Sequence, residues 1–334
     1  MSQSAFPASM VPPFRTPMTI GQILDRTYRL VRANFRLFVG IAAIPALVSF
    51  LTLAAFEAAF MIPMYRQFPK PPDPEALARS FNPATLIPLF LFVSLISLAI
   101  FALYLAAAFH AATQANLGLP VIFREAYRVA MNRAGRYLLL LLLIYAVTFL
   151  PAVAIELSAA GAVALSTLGN PNPNPTVFLM IPLGMLLFLA ALICGILITL
   201  RLSLAFPACV VESLGVIASL KRSNQLTKGA KGRTFVVLLV IYAACYAFTI
   251  VLFAVLGLLA LIFVLAGTAL GIHLASPLGI AAAVCLGICA FLGFSLYMAL
   301  SWASFTTALA VIYADQRLHK DAPPPAPSPA GAPA

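Results

Sequence analysis

The stretch Gly135-Arg136-Tyr137-Leu138 through Ile144-Tyr145-Ala146 recurs as Gly232-Arg233-Thr234-Phe235 through Ile241-Tyr242-Ala243. Each copy follows an arginine-bearing amphipathic stretch and opens a long apolar run. A fainter third copy lies near the start, where Leu24-Asp25-Arg26-Thr27-Tyr28-Arg29 and Arg36 lead into the apolar run from Leu37. A unit used three times, a basic surface helix plus two membrane-spanning helices, accounts for all three. The expected fold is an all-α polytopic membrane helix bundle of six transmembrane helices.

Composition points the same way. The chain is 63% hydrophobic and 9% charged, with a mean hydropathy of +1.05, whereas a soluble domain carries roughly a quarter charged residues. Six apolar stretches, about 37–64, 85–115, 137–168, 177–206, 234–267 and 277–311, reach the roughly 20 residues needed to cross about 30 Å of hydrocarbon. Helices follow because every backbone amide in lipid must be satisfied within the chain. The fifth stretch is long enough to reach about 50 Å, which tilt or a protruding end has to absorb. Pro45 and Pro151 interrupt two spans and predict kinks.

Charge placement predicts orientation. All but Arg66, Lys70 and Arg79 of the 20 lysines and arginines fall on one side of the six spans. By the positive-inside rule that side, with both termini, is cytoplasmic. The net charge of +11 is then mostly a topology signal, and nucleic acid is not an expected partner, because no basic and aromatic module for reading bases accompanies it. Residues 1–18, rich in Pro and Ser, do not read as a cleavable signal peptide, so the first span is expected to stay as an anchor. That segment and the Pro/Ala tail 322–334 are expected to be disordered, flanking a membrane domain over 19–321.

Chemistry is harder to find. Cys194, Cys209, Cys245, Cys285 and Cys289 all lie in or beside spans without a CxxC pair or a histidine at ligand spacing, so neither a disulfide framework nor a zinc site is indicated. Cys285 and Cys289, with Gly287 and Gly293, instead predict small-residue helix packing. His110, His273 and His319 form no catalytic cluster with the nine acidic residues. Neither a cofactor, a metal nor an enzymatic role is expected.

Two features carry functional expectations. The first is the basic helices, expected over Thr19–Arg36, Pro120–Arg136 and Leu214–Arg233. Their candidate headgroup or partner contacts are Arg29, Arg32, Arg36, Arg124, Arg128, Arg136, Lys221, Arg222 and Arg233. Lying in the interface, such helices attract anionic phospholipid at about 1 kcal/mol per basic residue, although topological anchoring explains the same charges. Asp25 with Arg29 and Glu125 with Arg128 are expected to pair along their helices. The second is a pair of carboxylates in apolar runs, Glu57 and Glu156, which either snorkel to the outer interface or work inside the membrane. His110, Arg201, Tyr104 and Trp302 are expected to mark headgroup boundaries. Of the outer loops, Asp73 to Arg79 reads as a short capped helix and Gly169 to Pro175 as an extended turn.

Ile23-Leu24-Asp25-Arg26-Thr27-Tyr28-Arg29-Leu30 with Asn34-Phe35, Phe206-Pro207-Ala208-Cys209-Val210-Val211-Glu212, Arg222-Ser223 with Leu226-Thr227-Lys228-Gly229, and Tyr313-Ala314-Asp315-Gln316-Arg317 together resemble the bacterial glycerophosphoryl diester phosphodiesterase membrane-domain family. Ala314 departs from the pair of aromatics usual before that aspartate. The resemblance implies a membrane module connected with envelope lipids in a bacterial inner membrane. It does not imply hydrolysis, because the catalytic barrel of fused family members has no counterpart here. The expected function is a noncatalytic module that binds lipid, a partner protein or a second copy of itself. The alternative is a transporter or lipid-translocating permease using Glu57 and Glu156.

Overall fold

A computed structural model describes residues 17–67, 83–167, 175–269 and 277–321. Its elements are α1 (Ile20–Ala33), α2 (Phe35–Gln67), α3 (Pro83–Asn116), α4 (Phe123–Met131), α5 (Ala134–Thr167), α6 (Pro175–Leu202), α7 (Ala205–Val211), α8 (Val216–Thr227), α9 (Lys231–Ala269) and α10 (Pro277–Lys320). No strand occurs among the described residues. Six helices, α2, α3, α5, α6, α9 and α10, are long and apolar enough to cross a membrane. The loops expected to hold the short helix near Asp73 and the turn after Gly169 lie outside the described residues, as do both chain ends.

Short helices precede α2, α5 and α9, and each has a local reason to start or stop. Thr19 and Gln22 close a capping box on α1: the Thr19 amide donates to Gln22 Oε1 at 2.8 Å and the Gln22 amide to Thr19 Oγ1 at 3.3 Å. The Asn34 amide side chain donates to the Leu30 carbonyl at 3.0 Å. It competes with the backbone for the last carbonyls, so the single helix expected over Thr19–Arg36 is divided at Asn34. Pro120 precedes α4 instead of occupying its first turn. Gly229, at φ +87°, lies just beyond the end of α8, a conformation open to glycine at little cost.

Two span boundaries differ from the sequence reading. The fourth span breaks after Leu202, because Pro207 has no amide to offer the carbonyl of Ser203, and the short α7 follows. The hydroxyl of Ser223, from α8, takes up the loose groups: it accepts from the Leu204 amide at 3.2 Å and donates to the Arg201 carbonyl at 2.7 Å. The sixth helix runs on past residue 311 to Lys320, which brings Tyr313, Asp315 and Arg317 into the bundle. Besides Pro45 and Pro151, Pro88 and Pro182 also lie inside spans.

Helix α3 sits at the centre and packs against α2, α4, α5, α7 and α10. Its inner stretch is nearly all alanine, with Ala102, Ala106, Ala107, Ala108, Ala111 and Ala112 fully buried. Small side chains let neighbouring backbones approach closely, which supplies the dispersion contacts that hold helices together in lipid. Phe109 and Tyr137 stack on Phe206 with ring centroids 5.8 and 6.1 Å away. Tyr104 belongs to this core and does not mark a headgroup boundary. Toward the opposite end the helices present Phe90, Phe92, Leu150, Leu157, Met185 and Leu265 outward. Cys285, Cys289 and Gly287 are exposed there, so the expected small-residue packing is limited to Gly293, which meets Leu252 of α9.

Candidate functional site

The basic residues gather at the end of the bundle where α1, α4, α7 and α8 lie. There they divide into two sets with different chemistry. Arg136, Arg222 and Arg233 are committed to the protein itself. Arg136 Nη1 donates to the carbonyl of Ser213 at 2.9 Å and of Leu214 at 3.3 Å, tying α5 to the loop before α8. Ser213 holds a positive φ of 54° at this turn.

Arg233 forms an ion pair with Asp315, whose side chain is 2% exposed. The pair also binds the backbone of Met18. Arg233 donates to the Met18 carbonyl at 2.9 Å, and the Met18 amide donates to Asp315 Oδ1 at 3.0 Å. Met18, placed by the sequence reading in the disordered segment, is therefore held between α9 and α10. His319 Nδ1 lies 2.7 Å from the Asp315 carbonyl one turn back. A carboxylate this buried needs such partners, because an uncompensated charge away from water costs several kcal/mol.

Glu212 is the centre of a second network. It accepts from Tyr313, lies 3.3 Å from Arg222 Nε and 3.6 Å from Arg317 Nε, while Arg222 also pairs with Asp321. Burial works against the Arg222 charge, but the carboxylates of Asp321 and Glu212 outweigh it and raise its pKa. Lys320 donates to the carbonyls of Gln225 and Lys228, closing the last turn of α8 onto α10. The segments around Phe206, Ser223, Thr227 and Tyr313, far apart in sequence, thus meet in one place.

The second set faces outward. Arg29, Arg32, Arg36, Arg124, Arg128 and Lys221 are exposed. Arg29 pairs with Asp25 as expected, an exposed contact of a few tenths of a kcal/mol. The other five side chains have no hydrogen-bond or ion-pair partner among the described residues, and Glu125 does not pair with Arg128. Helix α4 is seated by its opposite face. Ala126 and Ala130 are buried, and the Tyr127 hydroxyl donates to the Ile41 carbonyl at 2.6 Å. Burial pushes the Tyr127 phenol up to about 12. Arg26 donates to the Asn116 carbonyl at 3.1 Å, satisfying the end of α3.

The two carboxylates expected inside apolar runs lie far along their helices from this end. Glu156 is exposed on α5, and Glu57 lies within α2 with its side chain outside the described residues. Among the described residues no three His, Cys, Asp or Glu side chains are grouped to hold a metal ion.

Sequence reasoning found the outward basic set from charge and helical spacing. It missed the pairing of Asp315 with Arg233, the network that Glu212 forms with Tyr313 and Arg222, and the bonds of Ser223 at the break after Leu202. The available signals were an acidic residue directly after a long apolar run, at Asp315, and the short motifs that hold Glu212, Ser223 and Tyr313. Comparison with family models, curated proteins and solved structures found no match to this chain, and the resemblance drawn above rests on its short motifs.

Proposed function

We propose that this protein is a noncatalytic module of a bacterial inner membrane, with both termini cytoplasmic, that retains anionic phospholipid at its basic end in support of an envelope or lipid process. The observation that carries this reading is the division of the basic residues. Arg136, Arg222 and Arg233 are consumed by internal contacts, whereas Arg32, Arg36, Arg124, Arg128 and Lys221 are exposed without partners among the described residues. Exposed cations that make no ion pair draw anionic headgroups at about 1 kcal/mol per residue near the surface. A partner protein with an acidic surface, or a second copy, would offer the same complement.

The element order supports a repeated unit: α1 with α2 and α3, α4 with α5 and α6, α8 with α9 and α10. Each unit then delivers one basic helix to the same side, and the unequal charge of the two sides favours the cytoplasmic assignment. The resemblance to the glycerophosphoryl diester phosphodiesterase membrane-domain family agrees with a lipid-linked role. No catalytic step, cofactor or metal is assigned.

Native mass spectrometry on the protein extracted gently from its own membrane tests the proposal. A stoichiometric anionic lipid is expected, lost when Arg32, Arg124 and Arg128 are all changed to Glu. Retention unaltered by those changes would overturn the assignment, and a stoichiometric protein without lipid would identify a subunit or scaffold.

A further inference from the structure

Helices α1, α4 and α8 each expose a large apolar side chain about one turn from a basic one that has no partner among the described residues. On α1, Tyr28 is 62% exposed and Arg32 lies four residues on. On α4, Arg124, Arg128 and Met131 follow at steps of four and three, so all three share one face, with Met131 59% exposed. On α8, Ile217 is 67% exposed and Lys221 lies four residues on. Ile122, which caps α4 without a side-chain hydrogen bond, is 63% exposed.

In water each such side chain would leave apolar surface unburied, which is unfavourable. The opposite faces of these helices are buried, at Ile23 and Thr27, at Ala126 and Ala130, and at Ser219, Ser223, Leu226 and Thr227. Rotation to hide the exposed apolar residues is therefore blocked.

We infer that the outward faces of α1, α4 and α8 are embedded in the bilayer of the protein's own membrane, with Tyr28, Ile122, Met131 and Ile217 entering the acyl boundary and the neighbouring Arg32, Arg124, Arg128 and Lys221 on lipid phosphates. This rests on the lipid reading of the basic end and adds depth to it. A phospholipid surface offers an apolar layer and an anionic layer in register. A basic side chain beside an apolar one spans them, its stem along the acyl boundary and its head at the phosphate. The same pairing on three helices fixes a plane, so the bundle sits on three anchors and its tilt is restrained.

Trp302 is the only tryptophan, so Trp302→Phe gives a silent background into which Tyr28→Trp, Ile122→Trp, Met131→Trp and Ile217→Trp are placed one at a time. Leu150→Trp, on the exposed face of α5, serves as the acyl reference. The full chain is reconstituted in phosphatidylcholine and phosphatidylglycerol nanodiscs, with and without bromine on the acyl chains. The expected result is several-fold stronger quenching of the four probes by brominated lipid than by aqueous iodide. Stronger quenching by iodide, with anionic lipid still retained in native mass spectrometry, would overturn the embedding and leave the headgroup reading standing. Iodide quenching with no lipid retained would overturn both. Protection from both quenchers would place a second copy over these helices and would also overturn the embedding.

Discussion

The two ends of this bundle are built by different rules. At the basic end, side chains interlock: alanines of α3 are fully buried, two charge networks join α7, α8, α9 and α10, and the N-terminal segment is tied in at Met18. At the opposite end the same helices expose Phe90, Leu150, Met185 and Leu265, and α9 has no buried residue beyond Ile241 among its described ones. Lipid tails are as apolar as these side chains, so separation there forgoes only packing. Helix termini, turns and charges have no such substitute and must find partners within the protein. Cohesion concentrates where polar groups have to be satisfied.

Removing one member of the buried pair should break the comparison most strongly. Arg233→Ala leaves Asp315 buried and releases Met18, at an expected loss of about 3 kcal/mol or more. Equilibrium unfolding in mixed micelles reads this directly, and a loss under 1 kcal/mol would mean that the pair is not what holds α9 to α10.

Next comes the close approach between α5 and α6. A Cβ at Gly195 would lie 3.3 Å from the Thr148 carbonyl oxygen, a backbone atom that cannot swing aside. Gly195→Leu is therefore expected to part the two helices at about 1–3 kcal/mol. Cross-linking between cysteines placed on α5 and α6 should fall in the variant; unchanged cross-linking would show that the hairpin yields elsewhere.

A pair of tyrosines then sharpens the contrast between the ends. Tyr297 joins α10 to α9 within the spans through Thr249 and the Cys245 carbonyl, where a hydrogen bond contributes about 0.6 kcal/mol on average. Tyr127→Phe loses a bond that seats α4 on α2, where about 1 kcal/mol is expected. Tyr297→Phe should be the milder change, and the reverse order would contradict the division drawn above. The smallest effect is expected from Glu156→Gln, since the carboxylate is exposed. Both stability and lipid retention should stay within error. A lost proton-dependent flux would support the permease reading instead.

Where the sequence succeeded, the signal was periodic or local. Six apolar runs marked six helices, because about 20 apolar residues in a row have few other uses. Arg29 with Asp25, and the exposed Arg124 and Arg128, follow from helical spacing alone. The misses have a common cause. The break at Leu202 depends on Pro207 together with a hydroxyl 19 positions from Leu204, and the burial of Tyr104 depends on which helices surround it.

Sequence by itself thus determined the number of long apolar helices, the end at which most basic residues gather and the helical faces that carry them, because hydropathy and charge act through near neighbours. Only the tertiary structure decided which arginines are spent internally and which remain outward. Arg233 meets Asp315 across 82 positions and Met18 meets Asp315 across 297, and no local pattern encodes a contact between chain segments that distant. It forms because buried charge must be compensated wherever the packed helices bring a partner within reach.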